Sequence, residues 1–367
     1  MTRRRCLNTL LTGLGVSAHP ATVAAAPKDV METAANVIQK QVDAKLLEAA
    51  VLHVQQGGEV FQRSFGGAAN TEAIFLLASI TKTMTAAGVM VLTDRGEVKL
   101  SDPVVKFIPE FSEGARKEIT IRQLLTHTSG LPDQLPENDA LRARHAPLED
   151  FVRAVVRTPL LFQPGSRYHY QSMGILLAAE IVQRVAQIPL ASFLEKNVFT
   201  PLSMHRTAFG LGRFKLEEVV LNQTEHAAPE SGAGAASAKD WDWNSAYWRN
   251  LGAPWGGGHG TAGDVAAFLR SFMHPQGRAL REATARMMIE DQTGSLKAGR
   301  GIGFDLRHET FGKSCSAKAF GHSGSTGNLA WADPEKDLSC VILTSLPGRV
   351  SSPLILHPVS DLVSAGA

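Results

Sequence analysis

Three kinds of hydrophobic pattern follow one another along the chain. Residues 49–65 read as an apolar run, the pair Gly57-Gly58, and then alternating apolar and polar positions, which predicts two antiparallel strands joined by a tight glycine turn. Residues 74–92 form an unbroken series of small and apolar side chains with helical spacing that stops at Asp94-Arg95-Gly96, which predicts a buried helix. From about 119 to 214 helical patterns are punctuated by Pro132, Pro136, Pro147, Pro164 and Pro189, with the strongest amphipathic stretch at 174–186; this reads as a helical lobe. Short β-type runs return at 301–306, 319–323, 328–333 and 338–345, and a last helical stretch covers 353–364. β elements therefore flank a helical insertion, and no internal repeat is visible.

Between 227 and 240 the composition shifts to Ala, Gly and Ser, followed by Trp241, Trp243, Tyr247 and Trp248. A surface excursion is expected there. The tryptophans, with Trp255, fit either an acyl or alcohol pocket or packing between lobes.

A chain of 367 residues with 44% hydrophobic and 20% charged residues has ample material for one large domain or two packed lobes. The net charge of +2 changes the picture only until its source is found. Arg3, Arg4 and Arg5 supply three positive charges, so without residues 1–26 the balance becomes −1. No Lys/Arg run interleaved with aromatics remains, which excludes nucleic acid as a partner. The basic cluster, the apolar residues 7–16 and the small residues around Ala24-Ala25-Ala26 read as an export signal over 1–26, twin-arginine-like in form, placing the mature protein in the periplasm or outside the cell with no integral membrane span. Cys315 and Cys340 then remain, read as buried free thiols in preference to a bridge, and without the spacing of a zinc site.

Candidate chemistry lies in three separated places. In Ser79-Ile80-Thr81-Lys82, positions i and i+3 share one helix face, so an ammonium can reach the serine hydroxyl. A helix starting at Ser79 would also aim free backbone N–H groups at a developing oxyanion. Alone, this pattern equally fits a solvated lysine near a helix start. Tyr168-His169-Tyr170-Gln171-Ser172 precedes a helix from about Met173, where a phenol beside a lysine can carry a proton, or an aromatic can staple the helix entrance. Phe320-Gly321-His322-Ser323-Gly324-Ser325 sits on a predicted strand edge whose glycines admit a substrate and leave the Ser325 N–H as a second oxyanion donor.

Taken together, Ser-x-x-Lys, Tyr-x-Ser and His-x-Gly in this order resemble the serine β-lactamase and penicillin-binding-protein superfamily. The resemblance spans about 49–345 and includes Ile121-Arg122-Gln123-Leu124-Leu125-Thr126-His127-Thr128-Ser129-Gly130-Leu131 and residues 255–269. It implies an α+β, β-lactamase/transpeptidase-like fold: an antiparallel sheet flanked by helices, with an inserted all-α lobe. Within a single domain over 27–366, residues 40–105 and 255–366 would build the α/β lobe and 106–254 the mainly helical lobe. It implies Ser79 as nucleophile, Lys82 as its activator, Tyr170 as proton carrier to the leaving group, His322 in place of the motif's lysine, and the Ser79 and Ser325 amides as oxyanion hole. Ser172, Ser323, Gly324 and Trp255 would contact substrate. His127 reads as structural, since nothing in the sequence places it beside the serine.

Two departures bear on substrate. Penicillin-active members usually carry Lys-Thr-Gly where this chain has His322-Ser323-Gly324, and Asn where it has Ser172; a histidine lacks the permanent cation suited to a carboxylate. The expectation is therefore a secreted hydrolase of carboxylic esters or small amides, needing no cofactor or metal. A D-Ala-D-Ala-type peptidase or weak β-lactamase, and a catalytically silent binding module of the same fold, are the alternatives.

Overall fold

The computed structural model describes residues 28–367; the export signal read at 1–26 lies outside them. The strands are β1 (Ala49–Gln56), β2 (Glu59–Gly66), β3 (Phe75–Leu76), β4 (Ala208–Phe209), β5 (Gly258–Gly260), β6 (Phe320–Gly324), β7 (Asn328–Asp333) and β8 (Leu338–Thr344). The helices are α1 (Lys28–Asp43), α2 (Thr81–Asp94), α3 (Ile121–Leu125), α4 (Asn138–Ala143), α5 (Leu148–Val155), α6 (Met173–Ala186), α7 (Leu190–Leu194), α8 (Ala246–Leu251), α9 (Ala262–Met273), α10 (Glu282–Met288), α11 (Gly348–Ser351) and α12 (His357–Ala365).

Five strands form one antiparallel sheet in the order β2-β1-β8-β7-β6. Gly57 has φ +56°, the left-handed conformation that the two-residue β1–β2 turn requires. The central strands β1, β8 and β7 are buried almost throughout because both faces are covered. Ala50, Leu52, Cys340 and Ile342 pack with Met31, Ala34, Ala35 and Ile38 of α1 and Val359 and Val363 of α12. Val51, Val341 and Leu343 face Val265, Phe268, Leu269 and Phe272 of α9. Cys315 and Cys340 are buried free thiols, and burial pushes the Cys315 thiol up to about 12.

The two faces of the central strands thus belong to different cores, and the second core continues into α2, α3, α5, α6 and α7. A short sheet of order β3-β5-β4 sits between sheet and helices.

The structure corrects several elements. The 74–92 helix begins only at Thr81: Phe75 and Leu76 are drawn into the short sheet, and a tight turn over Ala78–Ile80 precedes α2. Residues 301–306 form no strand. A Cβ at Gly301 would lie 2.1 Å from the Met288 carbonyl oxygen and one at Gly303 2.6 Å from the Ala86 Cβ, so this stretch is a loop pressed onto α10 and α2. The helix expected over 353–364 is present: a wider helical turn over Ser352–Leu356 runs straight into α12, whose proline sits in the first turn. Helix α1, with apolar side chains spaced at i, i+3, i+4 and i+7, joins the predicted elements.

Candidate active site

The turn carrying Ser79 is built by residues far apart in sequence. Leu77 N–H donates to the Gly258 carbonyl (2.8 Å), and Gly258 N–H donates to Thr81 Oγ1 (3.0 Å). Thr326 Oγ1, from the β6–β7 connection, and Asn328 Nδ2, at the start of β7, both donate to the Leu76 carbonyl (2.8 and 2.9 Å). A Cβ at Gly324 would lie 2.6 Å from the Leu77 carbonyl oxygen, so only glycine lets the end of β6 approach this closely. Ala78 pays for the arrangement with φ +47°, a left-handed conformation that an alanine adopts only under strain.

Ser79 is half-buried, and Lys82 Nζ donates to its Oγ at 2.9 Å and to the Trp255 carbonyl at 2.9 Å. Thr85 Oγ1 binds the Pro254 carbonyl from the next turn of α2 (2.7 Å), so one helix face holds the 254–258 segment. The Tyr170 ring lies 5.0 Å from Lys82 Nζ and 6.0 Å from the His322 ring. Ser79, Tyr170, His322, Ser323, Gly324 and Ser325 line one open cleft of about 600 Å³.

Two predicted substrate contacts are not on that cleft. Ser172 is buried, and its hydroxyl donates to Asp133 Oδ1 (2.6 Å), tying the Tyr-x-Ser turn to the loop after α3. Trp255 offers only its carbonyl, to Lys82; its ring packs between Phe151 and Trp248. Trp241, Trp243 and Trp248 are likewise buried, so the aromatics serve packing. The 227–240 stretch does reach the cleft, through Ala228.

His127, read as structural, is buried and does not line the cleft. Its ring is buried 4.7 Å from the Tyr170 ring, with φ +60° in its own backbone. Its Nδ1 accepts from Gln171 N–H (3.2 Å), which puts the neutral ring's proton on Nε2. Burial first, then Arg300 and Lys82, hold His127 well below the usual histidine range. The same causes lower His322 to about 3, while its Nδ1 lies 2.7 Å from the Ser323 carbonyl. Nδ1 therefore carries the proton, leaving a buried Nε2 lone pair without a partner. His322 is thus a neutral acceptor and supplies no cation.

Sequence reasoning passes over Arg300, Asp305 and Arg307, which also line the cleft. A lone arginine before Gly301 has no motif partner to announce it. No cluster of His, Cys, Asp or Glu among the described residues could hold a metal ion.

His127, His259 and His322 give the fold a shared acid sensitivity. Burial chiefly lowers His259 to about 3 also. Each is neutral when folded but takes a proton near pH 6.5 when unfolded, so stability is whole above 6.5 and is lost as pH falls below it, toward about 3 for His259 and His322. Each costs up to about 1.4 kcal/mol per pH unit in that window. His259→Asn should therefore flatten the fall in urea-unfolding free energy between pH 6.5 and 5 relative to the parent; parallel curves would refute this.

A family profile described as Beta-lactamase matches residues 34–359. The chain is 33% identical over 196 residues to Esterase EstB of Burkholderia gladioli, an alignment covering 47% of this chain and 50% of EstB, so the match spans about half that relative's length. It is 24% identical over 351 residues to a putative D-alanyl-D-alanine carboxypeptidase of Escherichia coli K12, covering 84% and 81% of the two chains. Among solved structures, EstCE1, a hydrolase with promiscuous acyltransferase activity, superposes with TM-score 0.75 at 21% identity, covering 92% of this chain and 98% of that one. The D-amino acid amidase of Ochrobactrum anthropi SV3 superposes with TM-score 0.73 at 23% identity over the same shares. At these identities the structures establish a shared fold.

Proposed function

Since the chain belongs to the β-lactamase family of serine hydrolases, we propose that it is exported and cleaves carboxylic esters or small amides through an acyl-enzyme on Ser79. The reading rests on Lys82 Nζ at 2.9 Å from Ser79 Oγ, with the Tyr170 ring 5.0 Å from that ammonium and on the same cleft as Ser79. Ser79 Oγ attacks the carbonyl carbon as its proton passes to the Lys82–Tyr170 pair, and the Ser79 and Ser325 amides receive the oxyanion. Collapse breaks the bond to the alcohol or amine, which leaves with a proton from Tyr170. Water then attacks the acyl carbon, gives its proton to the same pair, and releases the acid and Ser79.

The neutral His322 favours uncharged ester and amide groups over a carboxylate at that wall of the cleft. A second reading, a D-Ala-D-Ala-type peptidase or weak β-lactamase, draws support from Arg349, exposed on the cleft with no ion pair among the described residues. One experiment separates them: purified protein with a fluorophosphonate, a p-nitrophenyl ester panel and a labelled penicillin, each adduct located by mass spectrometry. Ester turnover without penicillin adduct is the expected result. Penicillin adduct without ester turnover would favour the second reading, and silence toward every probe would refute both in favour of a binding module.

A further inference from the structure

Tyr170 is faced by charged or titratable groups from four elements. Helix α2 presents Lys82, the turn after α3 presents His127, β6 presents His322, and the loop before β6 presents Arg300, with Asp305 and Arg307 behind it; Tyr168 adjoins it on its own segment. Lys82 already serves Ser79 and the Trp255 carbonyl, and both imidazoles are neutral. That leaves Arg300 as the second cation at the ring.

Arg300 is 3% exposed, and its guanidinium carbon lies 5.2 Å from the Tyr168 ring centroid and 5.6 Å from that of Tyr170. One arm pairs with Asp305 Oδ2 at 3.1 Å, but Asp305 is shared with Arg307 (2.5 Å), so a single anion serves two cations. Its Nε and Nη1 are buried without partners. Burying two unsatisfied donors of a charged group is costly, and a structural role needing one ion pair does not explain it.

We infer that Arg300 is the positioning residue for Tyr170: a fixed cation 5.6 Å from the ring centre that orients the phenol and balances the negative charge its oxygen carries during proton transfer. The inference rests on the reading of Tyr170 as proton carrier. A cation within about 6 Å favours the anionic form of an acid, so its loss should demand a higher pH for the same activity.

The test is the pH dependence of ester kcat/KM for the parent, Arg300→Gln and Arg300→Lys, with fluorophosphonate labelling and thermal melting of each. Arg300→Gln leaves Asp305 paired with Arg307, and its acidic limb is expected to move up by about one pH unit, giving about tenfold lower kcat/KM below the limb. Arg300→Lys keeps the charge and should hold the limb near its parent position. An Arg300→Gln profile lowered equally at every pH, or not lowered, overturns the inference. If Arg300→Gln fails to fold, Asp305→Asn decides: removing the anion behind Arg300 should move the acidic limb down, and an unmoved or raised limb overturns the inference. A parent with no Ser79 adduct overturns the reading of the site and this inference with it, whereas a labelled, active parent with an unmoved Arg300→Gln limb overturns the inference alone.

Discussion

Replacing Ser79 by alanine is expected to abolish the fluorophosphonate adduct and to lower ester kcat/KM by about 10⁴-fold or more, with the melting temperature little changed. The hydroxyl is the only atom lost, and it provides the electron pair for the covalent step. The turn that holds it does not depend on it: its bonds run through Leu77, Gly258, Thr81 and the Leu76 carbonyl. Binding and oxyanion donors would survive and account for whatever rate remains. An adduct elsewhere, or turnover within tenfold of the parent, would sink the assignment of the nucleophile.

Tyr170→Phe and Lys82→Ala are each expected to lower kcat/KM by at least about 100-fold, the usual loss when a positioned proton carrier is removed. Tyr170→Phe is the cleaner test, because the ring keeps its contacts with His127, His322 and Arg300 and sheds only its oxygen. Lys82 is 1% exposed and donates to the Trp255 carbonyl, so its truncation also orphans a buried acceptor, and melting must be measured beside activity. If both residues serve one proton path, the double variant should be scarcely slower than the worse single. Parental rates in either single variant would remove it from that path.

What the sequence discloses depends on whether a feature is local. The hairpin at Gly57-Gly58, α6, β7 and β8 are legible because period and turn chemistry lie within ten or twenty residues. Ser79, Lys82, Tyr170 and His322 are legible only through their joint order, since each pattern alone has an ordinary explanation. Residues 75–76 and 301–306 defeat local reading because their conformation is decided by partners elsewhere: Gly260 and His259 for the first, α10 and α2 for the second. Trp255 misleads because an aromatic near a motif looks the same in sequence whether its ring or its carbonyl faces the site. Arg300 escapes notice, and His127 is read without its neighbour, because their relation to Tyr170 exists only after folding.

The strained turn at Ala78 and Ser79 is fastened to residues about 250 positions downstream, and β1 lies against β8 at a similar remove. Such contacts close very large loops, whose ordering entropy must be met before any contact repays it. During synthesis the emerging chain can form α2 and place Lys82 one turn beyond Ser79, but the strand that secures them has not yet left the ribosome. The turn ahead of the serine, already tied to Gly258, gains its second fastening at the Leu76 carbonyl only when the last strands arrive. A partly made chain would therefore carry the chemical groups without part of the frame that holds them.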